Sequence, residues 1–266
     1  MSNPILNDKA FRQAATQPGW GAPDPSTRQT PIDDGPVSPW QSASGTMTVN
    51  GTLTATGVLM VLLLGAAAFG WSQVTVGGGF PPLALVGVVV GLVSVIALYF
   101  KPMWAKVLGP IYAVAEGVFV GAISRFYEER YNGIVIQAVG ATLGVALVML
   151  VLYRTRIIKV TQRLRSVIMA ATMGLMAFYA VSFLLSLFDV NIGAWHQGSN
   201  GIGILFSVFA AGLASFNLLL DFDFIERGAK QRLPKGMEWV GAMGLLVTLV
   251  WLYLELLRLL SKLQDR

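Results

Sequence analysis

The sequence predicts an all-α integral membrane protein, a bundle of seven transmembrane helices behind a polar N-terminal tail. Three observations predict it. Seven apolar stretches follow one another from Leu53 to the C-terminus, each near the roughly 20 residues a helix needs to cross about 30 Å of hydrocarbon. Hydrophobic residues make up 55% of the chain and charged residues 12%, far from the balance of a soluble domain. The breaks between stretches carry the Gly, Pro and basic residues that end helices.

Residues 1–52 differ from everything that follows. They are rich in Pro, Gly, Ser, Thr, Gln and Asp, as in GAPDPSTRQTPIDDGPVSP, and show no apolar periodicity. Such a segment buries too little surface to offset its ordering entropy, so it is predicted to be a disordered tail. It lacks the basic and then apolar regions of a secretory signal, which makes the first span an internal start-transfer helix. The predicted spans are 53–71, 82–100, 107–125, 134–153, 167–188, 202–222 and 238–260. GGGFPP (77–82) and the Lys101-Pro102 pair separate spans by glycine freedom and proline's missing donor. RTRIIKVTQRLR (154–165) reads as a basic amphipathic connector. Residues 53–266 form one transmembrane domain.

Orientation follows from the loops. With the N-tail inside, inner segments hold Lys9, Arg12, Arg28, Lys101, Lys106, Arg154, Arg156, Lys159, Arg163, Arg165, Arg227, Lys230, Arg232 and Lys235. Outer segments hold Arg125, Arg130, Arg258, Lys262 and Arg266. The N-terminus is therefore predicted to be cytoplasmic and the C-terminus outside. The formal charge of +5 is explained by these loops, and no nucleic-acid partner is predicted.

Composition also narrows the chemistry. There is no cysteine, which excludes disulfides and thiolate metal sites, and His196 is the single histidine. No phosphate-binding GxxxxGK[ST] or dinucleotide fingerprint occurs. Neither an enzyme nor a cofactor is expected. Glycine pairs at Gly87/Gly91, Gly117/Gly121 and Gly140/Gly144 allow close helix approach. They fit packing inside one bundle or a dimer seam.

Function has to be read from the few acids inside the spans, since each costs roughly 2.5–3.5 kcal/mol to insert. Glu116 lies in span three, roughly 15 Å from Lys106 and so near the midplane. Such a carboxylate is neutral, in water or paired with another helix. Asp221 closes span six at the edge of the hydrocarbon, and Asp223 follows on a different face, within reach of Arg227. Glu255 lies in span seven towards the outer face, and Arg258 stands three residues on, where an ion pair is easy. Glu238 starts span seven as an N-terminal dipole partner.

Several of these features occur together in one known family. A basic loop before span five, AEGxxxG in span three, LDFD ending span six and LYLELLRLL in span seven resemble the Bax inhibitor superfamily. The bacterial, especially actinobacterial, branch also shares an N-tail like NPILNDKAF. The resemblance covers essentially the whole chain. It implies a bundle with span seven near the centre, in a bacterial plasma membrane. It further implies a pH-sensitive calcium leak in which acids on spans six and seven share a proton and gate a pore near the cytoplasmic side.

Asp221 matches the span-six acid. The span-seven partner is Glu255 if the Leu-Tyr-Leu-acid string is aligned. It is Thr248, two turns earlier, if the following Leu-Leu-Arg is aligned without gaps. Chain rise favours Thr248, because a turn near Gln231 sets Asp221 level with a residue near Ala242. Contact between Asp221 and Glu255 needs an axial offset of roughly 20 Å to vanish.

Two functions follow. The first is a passive cation leak, with calcium as cargo, Asp221 as pH sensor and Glu116 and Glu255 as path or partner. The second is a non-conducting regulatory protein that binds a membrane partner such as a quality-control protease, with the tail and basic loops as docking segments. Deleting residues 1–52 separates them. A proton-coupled transporter is disfavoured, because the chain shows no convincing inverted repeat.

Overall fold

Each apolar stretch forms one helix, and several begin at a side-chain cap. In the computed structural model, which describes residues 45–74, 81–186, 188 and 198–265, α1 spans Val49–Ser72. Thr48 caps it by accepting the Gly51 N–H at 2.9 Å. Helix α2 spans Pro82–Phe100 and opens on proline, whose missing N–H costs nothing in a first turn. A short 3₁₀ turn, Pro102–Trp104, leads into α3, Ala105–Arg130.

Helix α4 spans Ile134–Arg154. Glu128 caps it from the preceding helix, accepting the Gly133 and Val135 N–H groups at 2.7 and 3.0 Å. Helix α5 spans Gln162–Ser186, and Thr161 accepts the Leu164 N–H at its start. Helix α6 spans Gly201–Lys230 and α7 spans Met237–Gln264. Asn200 caps α6 through the Gly203 N–H at 2.8 Å. Arg156 and Arg232 take left-handed φ values of 58° and 51° just past α4 and α6, a position where glycine is usual.

All seven helices are long and apolar enough to span a membrane, and together they form an all-α membrane bundle. Some bounds differ from those predicted. Helix α6 runs nine residues past Asp221 instead of ending there. Part of the basic connector is helical from Gln162. The first helix starts at Val49, ahead of Leu53. Residues 1–44, which hold most of the predicted tail, lie outside the described residues, as does the loop with His196.

Helix α7 is the centre. It packs against α1, α3, α4 and α6. On one side it buries Met243, Leu246, Val250 and Leu257 with residues of α1 and α3. On another it buries Leu245 and Leu252 with Ala214, Leu218 and Ile225 of α6. Helix α2 packs on α3, and α5 packs on α6. Residues such as Val61, Leu92 and Phe183 are exposed on the outer faces, as a lipid-facing surface requires.

Two of the glycine pairs serve packing within the bundle. A Cβ on Gly117 or Gly121 would meet the Leu63 or Ala67 carbonyl oxygen of α1 at 2.5 or 1.9 Å, and one on Gly87 would meet the Ala115 oxygen of α3 at 2.4 Å. Backbones this close gain dispersion contacts that lipid does not match. Gly140 and Gly144 differ, with nothing within 4 Å of either added Cβ. Ser94, Ser124, Thr142 and Ser215 bond back to the preceding turn, which removes the cost of an unpaired donor in lipid, whereas the buried Ser182 hydroxyl has no partner among the described residues.

Candidate functional site

The helical repeat places Asp221, Ile225 and Gly228 on one face of α6, and Gly241, Gly244 and Thr248 on one face of α7. These faces meet. A Cβ on Gly244 would lie 3.7 Å from Asp221 Oδ1, and the Thr248 hydroxyl is the hydrogen-bonding group beside the carboxylate. That hydroxyl already donates to the Gly244 carbonyl at 3.1 Å. Asp221 Oδ2 is buried with no hydrogen-bond partner among the described residues.

This arrangement has a chemical consequence. Ionised, Asp221 is an acceptor facing one hydroxyl, which it shares with the Gly244 carbonyl, and it has no cationic partner among the described residues. Protonated, it carries an O–H that the free lone pairs of Thr248 Oγ1 can accept. Protonation therefore changes what the two helix faces exchange.

Glu255 has the opposite surroundings. It is 2% exposed. It accepts from the Tyr179 hydroxyl at 2.9 Å, the Trp251 indole at 3.3 Å and Arg258 at 3.3 Å. Arg258 also donates to the Tyr179 oxygen at 2.9 Å, with its guanidinium 5.4 Å from the centre of that ring. Nearby, the buried Lys262 ammonium donates to the Gly203 carbonyl and Ser207 hydroxyl at 3.0 and 2.8 Å.

Glu116 sits between α2 and α3, where a Cβ on Gly91 would lie 2.5 Å from its Oε2. Neither a hydrogen bond nor an ion pair engages it among the described residues. Asp223 faces away from the seam. It pairs with Arg227 one turn on and with Arg165 of α5 at 2.8 Å. Together with Tyr153, Arg156, Lys159, Glu226 and Lys230 it lines a depression of about 260 Å³ at that end of the bundle.

The family is decided by the whole chain, since the Bax inhibitor 1 like family model matches residues 3–265. The chain belongs to the Bax inhibitor 1 like family. No curated protein matches it. For this family member, the seam joins Asp221 to Thr248 and leaves Glu255 in a separate cluster with Arg258. Rise arithmetic along α6 and α7 anticipated that level, and the i,i+3 spacing anticipated the ion pair.

Other partners escaped the sequence. Tyr179 and Arg165 of α5 reach acids 76 and 58 residues away in the chain, and no spacing rule links them. Glu238 does more than face the α7 dipole. Its Oε1 accepts both the Thr48 N–H and the Thr48 hydroxyl, at 3.0 and 2.9 Å, across 190 residues.

Proposed function

We propose that the protein is a passive cation leak, with calcium as its cargo, gated by protonation at Asp221. The observation that carries this reading is the buried, unpartnered Asp221 Oδ2 in a seam lined by Gly244 and Thr248. A carboxylate with so little support in a low-dielectric seam is an expensive residue for a purely structural role. A proton gained or lost there changes the contact between α6 and the central α7, and that contact is the gate.

Asp221 is the sensor in this reading. Glu116, which also lacks a hydrogen-bond or ion-pair partner among the described residues, is the second group on the path. Glu255, with Arg258 and Tyr179, anchors the far end of α7. Thr248 stands where a second acid would complete a proton-sharing pair, so Asp221 acts through a hydroxyl. The charge pattern supports a cytoplasmic N-terminus in a bacterial plasma membrane, with the Asp221 end of α6 facing the cytoplasm.

The test is calcium entry into liposomes carrying the purified protein, at about pH 6 and about pH 8, a range over which a desolvated carboxylate titrates. A flux that differs between the two supports the reading. Absence of flux at both overturns it.

A second reading, a non-conducting protein that modulates a membrane partner such as a protease, is favoured by the open Gly140/Gly144 face of α4. Small residues without a neighbour suit a partner helix. Under this reading Gly144→Leu abolishes partner capture, whereas a leak is unchanged by it.

A further inference from the structure

The seam that holds Asp221 continues towards the α6–α7 loop, and a side chain from the other end of the chain fills it. Past Asp221 the two faces present Ile225 and Gly228 on α6 and Gly241 on α7. Met47 occupies the notch between the two glycines. A Cβ on Gly228 would lie 2.6 Å from Met47 Sδ, and one on Gly241 would lie 3.6 Å from Met47 Cε and 3.2 Å from Ile225 Cγ1. Met47 is 1% exposed, although it lies outside every helix and only two residues before α1.

The segment carrying Met47 is strapped to that loop on both sides of the side chain. Thr46 forms an isolated β-bridge with Pro234. The Met47 N–H donates to the Leu233 carbonyl at 2.7 Å, and the Lys235 N–H donates to the Gly45 carbonyl at 2.9 Å. Beyond Met47, Thr48 donates twice to the buried Glu238 carboxylate. Gly51 makes room for that carboxylate, since a Cβ there would lie 2.1 Å from Glu238 Oε1.

We propose that Met47 is a stopper at the loop end of the Asp221 seam, held shut by the strap of residues 45–48 and its Glu238 latch. Its use as a gate rests on the leak reading above, but the seal itself does not. Methionine suits this task. It is unbranched and deformable, so it fills an irregular notch and can be withdrawn without unfolding a helix. The latch is local, a few hydrogen bonds at the membrane edge, so releasing it uncovers the seam while the helix packing around α7 stays in place. Ile225 is the second barrier between the stopper and Asp221.

The chain lacks cysteine, which makes the seal directly measurable. Asp221→Cys is reacted with a charged, membrane-impermeant thiol reagent applied from the α6–α7 loop side in proteoliposomes. The reaction is repeated in the backgrounds Met47→Ala and Glu238→Leu, the second of which removes the acceptor of both latch hydrogen bonds while keeping the buried volume. With the strap intact, Cys at this position should react slowly. Either background should speed the reaction about fivefold or more, the scale set by losing one or two hydrogen bonds or a buried side chain.

Fast reaction with the strap intact, or no acceleration in either background, overturns the stopper. Calcium flux through Met47→Ala in the otherwise native chain is read separately. Accelerated labelling with no flux from any variant at any pH keeps the stopper and overturns the leak. Flux without accelerated labelling does the reverse.

Discussion

Helix α7 carries two polar regions that solve the same problem in opposite ways. Near its C-terminal end Glu255 is enclosed by Tyr179, Trp251 and Arg258, and Arg258 also holds the Tyr179 hydroxyl. Near its loop end Asp221 of α6 faces a glycine and a single hydroxyl that it shares with a backbone carbonyl. A buried charge with several donors and a cation is a structural fixture, because its desolvation is largely repaid in place. An acid with one unpartnered oxygen is poised to change state. The difference teaches that in this bundle the number of donors around a carboxylate, rather than its depth, separates the acid that is held in place from the one that the proposed function takes as its sensor.

The largest way to break the comparison is to unbalance the anchor. Arg258→Ala leaves Glu255 without its cation and should cost roughly 3 kcal/mol, at the low end for a buried pair because Arg258 is partly exposed. Thermal unfolding in detergent measures it. Any flux that remains should keep its pH dependence, and a lost dependence would move the sensor to Glu255.

Thr248→Asp sharpens the other side. It puts a second carboxylate against Asp221, and two carboxylates in a dry seam cannot both ionise. Stability should therefore fall as pH rises, by about 2 kcal/mol between about pH 5 and about pH 8, where the native chain changes less. Unfolding midpoints across that range decide it.

Smaller effects separate Asp223 and Gly244 from both regions. Asp223→Asn removes ion pairs to two partly exposed arginines and should cost roughly 1 kcal/mol, with flux unaltered. Gly244→Ala adds a methyl at ordinary contact distance, 3.7 Å from Asp221 Oδ1. It should raise stability by up to about 1 kcal/mol through helix propensity and lower flux by filling the seam. Unchanged flux would show that the path does not pass Asp221.

Much of this architecture was legible in the sequence, for physical reasons. Apolar length fixes a spanning helix without knowledge of its neighbours, so all seven spans were readable. Fixed rise per residue set Asp221 level with a residue near Ala242 once the turn near Gln231 was placed, which favoured Thr248 over Glu255, and the contact falls just beyond it at Gly244 and Thr248. Rotation about each helix axis was not legible, since lipid and protein interior are both apolar and an all-apolar helix has no wet face to orient it. That is why Gly117/Gly121 and Gly140/Gly144 read alike, yet one pair lies against α1 and the other has no described residue within 4 Å of an added Cβ. Partners brought together from distant helices, such as Thr48 with Glu238 and Tyr179 with Glu255, leave no mark in local spacing.

The decisive comparison is calcium flux against pH for the native chain, Asp221→Asn and Glu255→Gln in liposomes of one composition. The native flux and that of Glu255→Gln should vary with pH, while Asp221→Asn should give one level, high or low, at every pH. A pH dependence that survives in Asp221→Asn would contradict the assignment of the switch to the seam.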